Sequence, residues 1–229
     1  MPKFYFDPGH GGSDSGAVGN GLKEKDITLS IAKAMEKYLK ENYEDVQIKM
    51  SRIDDTFPTL TERTNEANEW GADCFVSIHI NAHTNTAARG FSTYVYPNPG
   101  ADTIAFQNVL HEEIMRAIGG NNITDRGKLQ ANFHVLRESN MKACLTENLF
   151  ISNPSDAALL KKNDVLNQFA KGHALGLVKF YGLKQKTVSP PPSSTLYRVI
   201  AGTFSSEENA RKQVDRLKAD GYESYIDVK

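Results

Sequence analysis

Four acid or imidazole side chains stand at the edges of apolar runs, where a polar group is costly unless a partner compensates it. His10 follows Lys3-Phe4-Tyr5-Phe6 within Asp7-Pro8-Gly9-His10-Gly11-Gly12. His79 closes Phe75-Val76-Ser77-Ile78, and Glu147 closes Ala143-Cys144-Leu145-Thr146. Glu24 lies in Gly21-Leu22-Lys23-Glu24-Lys25-Asp26, at the mouth of the first long helical pattern. Two imidazoles and a carboxylate are one standard ligand set for catalytic zinc, with the fourth position left to water. A second carboxylate nearby can carry protons. Taken singly, each residue has a plainer reading. A histidine after a turn is commonly a hydrogen-bonded structural residue, and Glu24 alone resembles any glutamate at a helix start. Glu147 says more, because an acid between Leu145 and Leu149 is expensive to bury unpaired. The gaps of 14, 55 and 68 residues match no compact zinc signature. Only a fold can gather these groups. The glycine-rich stretch after residue 8 is no better as a phosphate cradle, since it lacks the Lys-Ser/Thr of a P-loop and carries Asp14.

The elements that must do the gathering alternate in period. Apolar residues at Ile27, Ile31, Met35 and Leu39 predict an amphipathic helix over 26–41. Val46 to Met50 alternates as a half-buried strand, and Thr59-Leu60-Thr61-Glu62 has capping-box spacing for a helix reaching about Trp70. Cys74 to Ile80 and Gly90 to Tyr96 read as strands, 101–118 as a helix, 143–148 as a strand and 155–181 as one long helix. This alternation predicts an α/β fold with a twisted, largely parallel or mixed sheet and helices on both faces. Such sheets bind ligands in the crevice outside the carboxyl ends of their strands. Residues ending three different strands can therefore meet there.

The whole chain, 229 residues with net charge -1 and 39% apolar, suits a globular protein able to bury a core. Near-neutral charge gives no electrostatic reason for nucleic-acid or membrane-surface binding, and no run approaches a membrane-spanning length. The N-terminus lacks the apolar region of a secretory signal, so the expectation is a protein made in the cytoplasm that reaches its target by lysis or assisted release. Cys74 and Cys144 lie in apolar stretches and read as inert core thiols.

Several motifs occur together: Asp7-Pro8-Gly9-His10-Gly11-Gly12, Gly16-Ala17, Glu24-Lys25-Asp26-Ile27, Ser51-Arg52, Leu60-Thr61-Glu62-Arg63, Ala67-Asn68, Ser77-Ile78-His79-Ile80-Asn81-Ala82 and Glu147-Asn148-Leu149-Phe150-Ile151-Ser152-Asn153. Jointly they resemble the zinc-dependent N-acetylmuramoyl-L-alanine amidases of the Amidase_3 type, over about residues 2–183. The resemblance implies one zinc ion held by His10, Glu24 and His79, with Glu147 as the catalytic glutamate. It also implies hydrolysis of the amide between N-acetylmuramic acid and L-alanine in peptidoglycan. Asn81 and Arg63 are candidate substrate contacts. Where the family often has Glu-x-Gly-Phe, Leu149 replaces the glycine. Among the nearby polar residues Asp7, Ser77 and Asn81, sequence does not select the one that orients the imidazoles. Other readings are a zinc carboxypeptidase or deacetylase on a similar scaffold, or a non-catalytic wall-binding protein.

Residues 184–195 contain three consecutive prolines among small polar residues and read as a semi-rigid linker. Beyond it, 196–229 has a β-α-β pattern, with strands at 197–204 and 224–228 around a helix. That piece resembles half of a SPOR repeat, a module that binds glycan strands stripped of peptides. The domain expectation is thus 1–183 catalytic, 184–195 linker and 196–229 partial repeat. So short a piece buries little core alone, which makes self-association through it a further expectation.

Overall fold

Phe4, Tyr5 and Phe6 are all fully buried, because the strand they form has a helical layer on each side. The computed structural model describes residues 1–187, 200–222 and 224–227. The strand is β1 (Lys3–Pro8), followed by a small hairpin of β2 (Val18–Gly19) and β3 (Leu22–Lys23), then α1 (Glu24–Asn42) and β4 (Gln47–Met50). Next come α2 (Leu60–Trp70), β5 (Cys74–Asn81), β6 (Phe91–Val95), α3 (Ala101–Ile118) and β7 (Asp125–Gln130). A short α4 (His134–Arg137), β8 (Lys142–Phe150), α5 (Pro154–Leu160) and α6 (Asn163–Tyr181) complete the first unit. The six-stranded sheet runs β4-β1-β5-β8-β6-β7. β4, β1, β5 and β8 are mutually parallel, whereas β6 runs antiparallel to β8 and carries β7 parallel to itself. The sheet is therefore mixed.

Strand alternation sorts side chains between the two layers. Phe4, Phe6, Val76, Ile78 and Cys144 face the larger core, which is built with Ile31, Met35 and Leu39 of α1, Leu110 of α3 and Phe169 of α6. Tyr5, Phe75, Ala143 and Leu145 face the smaller one, with Ala67 of α2 and Val135 and Leu136 of α4. Residues next along on this second face, toward the strands' carboxyl ends, include Asp7, Ser77, His79 and Glu147.

α2 begins at a complete capping box, with Thr59 accepting from Glu62 N–H and Glu62 reaching back to Thr59 N–H, and Gly71 closes it in the left-handed conformation. The single helix expected over 155–181 is two helices. Lys162 is extended at the start of α6, and the polar pair Asn163-Asp164 makes its first turn. β7 was not expected at all: five of its six residues are exposed, so no apolar alternation marks it. Both cysteines are buried and free. Among the described residues, no helix is long and apolar enough to cross a membrane.

The chain divides into two compact units, Met1–Lys186 and Thr187–Lys229. The second contains α7 (Glu207–Ala219), which buries none of its residues within the unit. Its expected strands are absent among the described residues: 200–204 and 224–227 are irregular, and 197–199 and 228 lie outside them. A strand is stable only with partners to complete its ladder. Most of the expected linker, from residue 188 on, also lies outside the described residues.

Candidate metal centre

His10, Glu24 and His79 converge. One donor atom from each lies within 4.8 Å of the other two, although the residues come from three different elements. His10 Nε2 is 3.1 Å and His79 Nδ1 is 3.0 Å from the same oxygen, Glu24 Oε1, and the rings stand edge to face at 5.0 Å. The imidazoles remain 24% and 20% exposed while Glu24 is 5% exposed, so the trio is buried on the carboxylate side and open on the other.

This donor set fits a dication. Burial alone would push Glu24 up, yet the two imidazoles hold it well below the usual carboxylate range. Burial works against protonating His10, but Glu24 and Asp14 overcome it and raise the ring to about 9. Three convergent groups that favour positive charge this strongly are the electrostatic complement of a metal ion. Small residues wall the cluster. A Cβ on Gly16 would stand 2.6 Å from Glu24 Oε2 and from His10 Cδ2, and one on Gly9 would stand 2.4 Å from His79 Cε1.

The surrounding shell explains the precision. Asp14 accepts from His10 Nδ1 at 2.8 Å, which leaves Nε2 as the nitrogen turned toward Glu24. Glu24 accepts from the N–H groups of Ala17 (2.8 Å) and Ile80 (2.9 Å), one on each oxygen. His10 itself has φ +63, an uncommon backbone state for a residue with a side chain. The carbonyls around it are gripped by cations. Arg52 donates to Pro8 O and Gly9 O, each at 3.0 Å, and Lys25 donates to Gly12 O at 2.9 Å.

Arg63, expected to touch substrate, belongs to this grip instead. It is 2% exposed and donates to Pro8 O, His10 O and Pro58 O, and to Asp7 Oδ1 at 2.7 Å. Asp7 in turn accepts from Ser51 and Ser77, each at 2.7 Å, so it braces the sheet rather than an imidazole. Asn81 is half-buried at the end of β5, and its side chain makes no hydrogen bond among the described residues.

Glu147 pairs directly with His79 in the β5–β8 ladder, which sets the two side by side on one face. Its Oε2 is buried without a hydrogen-bond partner among the described residues. Burial pushes its carboxyl up to about 7, with Glu24 adding to the rise and the imidazoles opposing it. Immediately beyond, the register slips: Asn81 faces Phe150, so two steps on β5 oppose three on β8. Leu149 absorbs the slip at φ +73 with its side chain fully buried. Asp156 secures the strand end, accepting from Phe150 N–H (3.0 Å) and Gly90 N–H (2.8 Å).

Sequence reasoning missed Asp14 and Arg52. Asp14 sits four residues after His10, a spacing that would have signalled a carboxylate brace had the loop been known to fold back on itself. Arg52 appears in the sequence only as part of the Ser51-Arg52 motif, with no role attached, because most of its partners are backbone carbonyls.

Known proteins share this arrangement of elements. The N-acetylmuramoyl-L-alanine amidase family profile matches residues 5–179 and the SPOR domain profile matches residues 171–228, the latter beginning inside α6 rather than at the expected 196. The sporulation-specific N-acetylmuramoyl-L-alanine amidase of Bacillus subtilis (strain 168) is 46% identical over 229 residues, which is 100% of this chain and 86% of that protein. The endolysin of Bacillus phage SPP1 is 46% identical over 190 residues, covering 82% of this chain and 69% of its own length. The catalytic domain of CwlV, an N-acetylmuramoyl-L-alanine amidase from Bacillus (Paenibacillus) polymyxa var. colistinus, superposes with a TM-score of 0.75 at 38% identity, over 80% of this chain and 100% of that one. With its sheet, its helical layers and nearly its whole length matched in this way, the chain belongs to the N-acetylmuramoyl-L-alanine amidase family and is a peptidoglycan hydrolase.

Proposed function

We propose that His10, Glu24 and His79 hold a zinc ion and that Glu147 moves the proton when the bond between N-acetylmuramic acid and L-alanine is hydrolysed. The observation that carries this reading is the convergence of three donors beside the Glu147 carboxyl, whose buried Oε2 has no hydrogen-bond partner among the described residues. Zinc in such a site supplies Lewis-acid polarisation and lowers the pKa of a bound water to about 7. Glu147 takes the proton that the attacking water loses. It then delivers that proton to the departing alanine nitrogen, so a poor leaving group departs as a neutral amine. A carboxyl that titrates near neutrality can both accept and return a proton at low cost. Asp14 keeps His10 in one tautomer throughout. Asn81, unpaired at the rim, contacts the glycopeptide.

The segment matched by the SPOR profile adds affinity for the wall, with self-association through it a further part of the proposal, and the enzyme acts there after release from the cell that makes it. Digestion of purified walls followed by mass spectrometry tests the reading. Free lactyl carboxylates and new N-terminal alanine are expected, with turnover lost on chelation and restored by zinc. Released terminal amino acids or acetate would replace it with a carboxypeptidase or a deacetylase.

A further inference from the structure

Four buried side-chain atoms lack a hydrogen-bond partner among the described residues, and two of them belong to residues paired across adjacent strands: Glu147 Oε2 and Ser92 Oγ. Ser92 lies on β6 directly opposite Glu147 in the antiparallel β6–β8 ladder. Directly opposed residues project from the same face with Cβ atoms about 5 Å apart. The sheet therefore carries a row of His79, Glu147 and Ser92 across three adjacent strands. Ser92 is 0% exposed, so no substrate and no bulk water reaches its hydroxyl. A buried hydroxyl with no partner is a standing cost, and such exceptions in a folded protein call for a reason. Opposite it in the ladder stands Glu147, whose Oε2 is likewise without a partner among the described residues.

We propose that Ser92 is a positioning residue for the amidase reaction, its hydroxyl closing onto Glu147 Oε2 so that the other carboxyl oxygen is aimed at the reacting water. At the Cβ separation of about 5 Å that direct pairing sets, a glutamate side chain is long enough to bring a carboxyl oxygen to a serine hydroxyl. Glu147 has one enclosed oxygen and needs one free oxygen for proton transfer. A donor on the enclosed oxygen fixes the carboxyl plane without occupying the working atom. The same hydroxyl serves both protonation states, since Oε2 remains an acceptor whenever the proton sits on Oε1. The inference rests on the assignment of Glu147 as the proton carrier.

The test is Ser92→Ala in the full-length, zinc-loaded chain, assayed beside Ser92→Thr and Glu147→Gln. A purely structural serine predicts equal or greater thermal stability and unchanged kinetics in the alanine variant, because an unsatisfied hydroxyl has been removed. Positioning predicts that kcat falls on the order of 10-fold or more, a typical share of acid–base catalysis, with KM and zinc content unchanged. Ser92→Thr, which restores the hydroxyl, should recover most of that loss. A kcat for Ser92→Ala within twofold of the parent overturns the proposal, as does a loss that threonine fails to repair in a folded, zinc-loaded protein. Should Glu147→Gln itself stay active, the glutamate assignment falls, and this inference with it. An inactive Glu147→Gln beside a fully active Ser92→Ala refutes the serine role alone.

Discussion

Replacing Arg63 with methionine separates a structural brace from a substrate contact. The side chain keeps an unbranched apolar stem but loses the guanidinium that joins Asp7, Pro8 O, His10 O and Pro58 O. Asp7 is 1% exposed; burial pushes its carboxyl up, but the Arg63 guanidinium, with Ser51 and His79, outweighs burial and holds it below the usual carboxylate range. Stripping one partner from a buried ion pair costs about 3–5 kcal/mol, because the remaining charge has no water to turn to. For a domain of this size each kcal/mol moves Tm by about 2–4 °C, so Arg63→Met should lower Tm by roughly 6–20 °C. Calorimetry or circular dichroism reads the shift, with Michaelis constants measured well below the new midpoint. Adding Asp7→Asn should return part of the loss, since the stranded charge is then gone. Arg63→Lys should not rescue it, because a single ammonium cannot span four separate acceptors. A variant with Tm within about 2 °C of the parent and a raised KM would refute the brace and restore the substrate contact.

Gly16→Ala drives a methyl group to 2.6 Å from both Glu24 Oε2 and His10 Cδ2 at a backbone φ of +62, so zinc content measured by atomic emission should fall well below stoichiometric while the far-ultraviolet spectrum persists. Leu149→Gly pits two effects against each other. Relief of the left-handed backbone is worth about 1–2 kcal/mol, whereas loss of a fully buried leucine costs about 3–5, so denaturant titration should show net destabilisation. His173, fully buried on α6, is depressed by burial to about 4, against an ordinary value near 6.5. The unfolded chain therefore binds the extra proton between those values, and stability contributed by the neutral ring should decline as pH falls from 6.5 toward 4, by about 3 kcal/mol in all, with His173→Gln flattening that part of the profile.

Much of the scaffold was legible because period and caps agree. The box at Thr59 and Glu62 marks the start of α2, and the Ile27–Ile31–Met35 spacing marks α1. β7 was not, since an exposed edge strand such as Asp-Arg-Gly-Lys-Leu-Gln has no buried face to impose alternation. The break at Lys161–Lys162 was hidden as well, because apolar residues continue on both sides of it. Motif order and the strand-end argument named four candidate site residues, of which His10, Glu24 and His79 converge and Glu147 pairs with His79. What remained out of reach depends on loop closure. Asp14 becomes His10's partner only because Gly11 and Asp14 pair backbone to backbone, and Arg63 becomes internal only because its helix docks over the end of β1.

The cationic grip on the loop at residues 8–12 has a consequence for how the enzyme matures. Arg52, Arg63 and Lys25 tie down the carbonyls of Pro8, Gly9, His10 and Gly12 through protein contacts alone. The backbone that carries His10 is thus held by contacts within the fold itself. On the proposed zinc site, loading would then be a late and separable step, with little rearrangement of this loop attached to it.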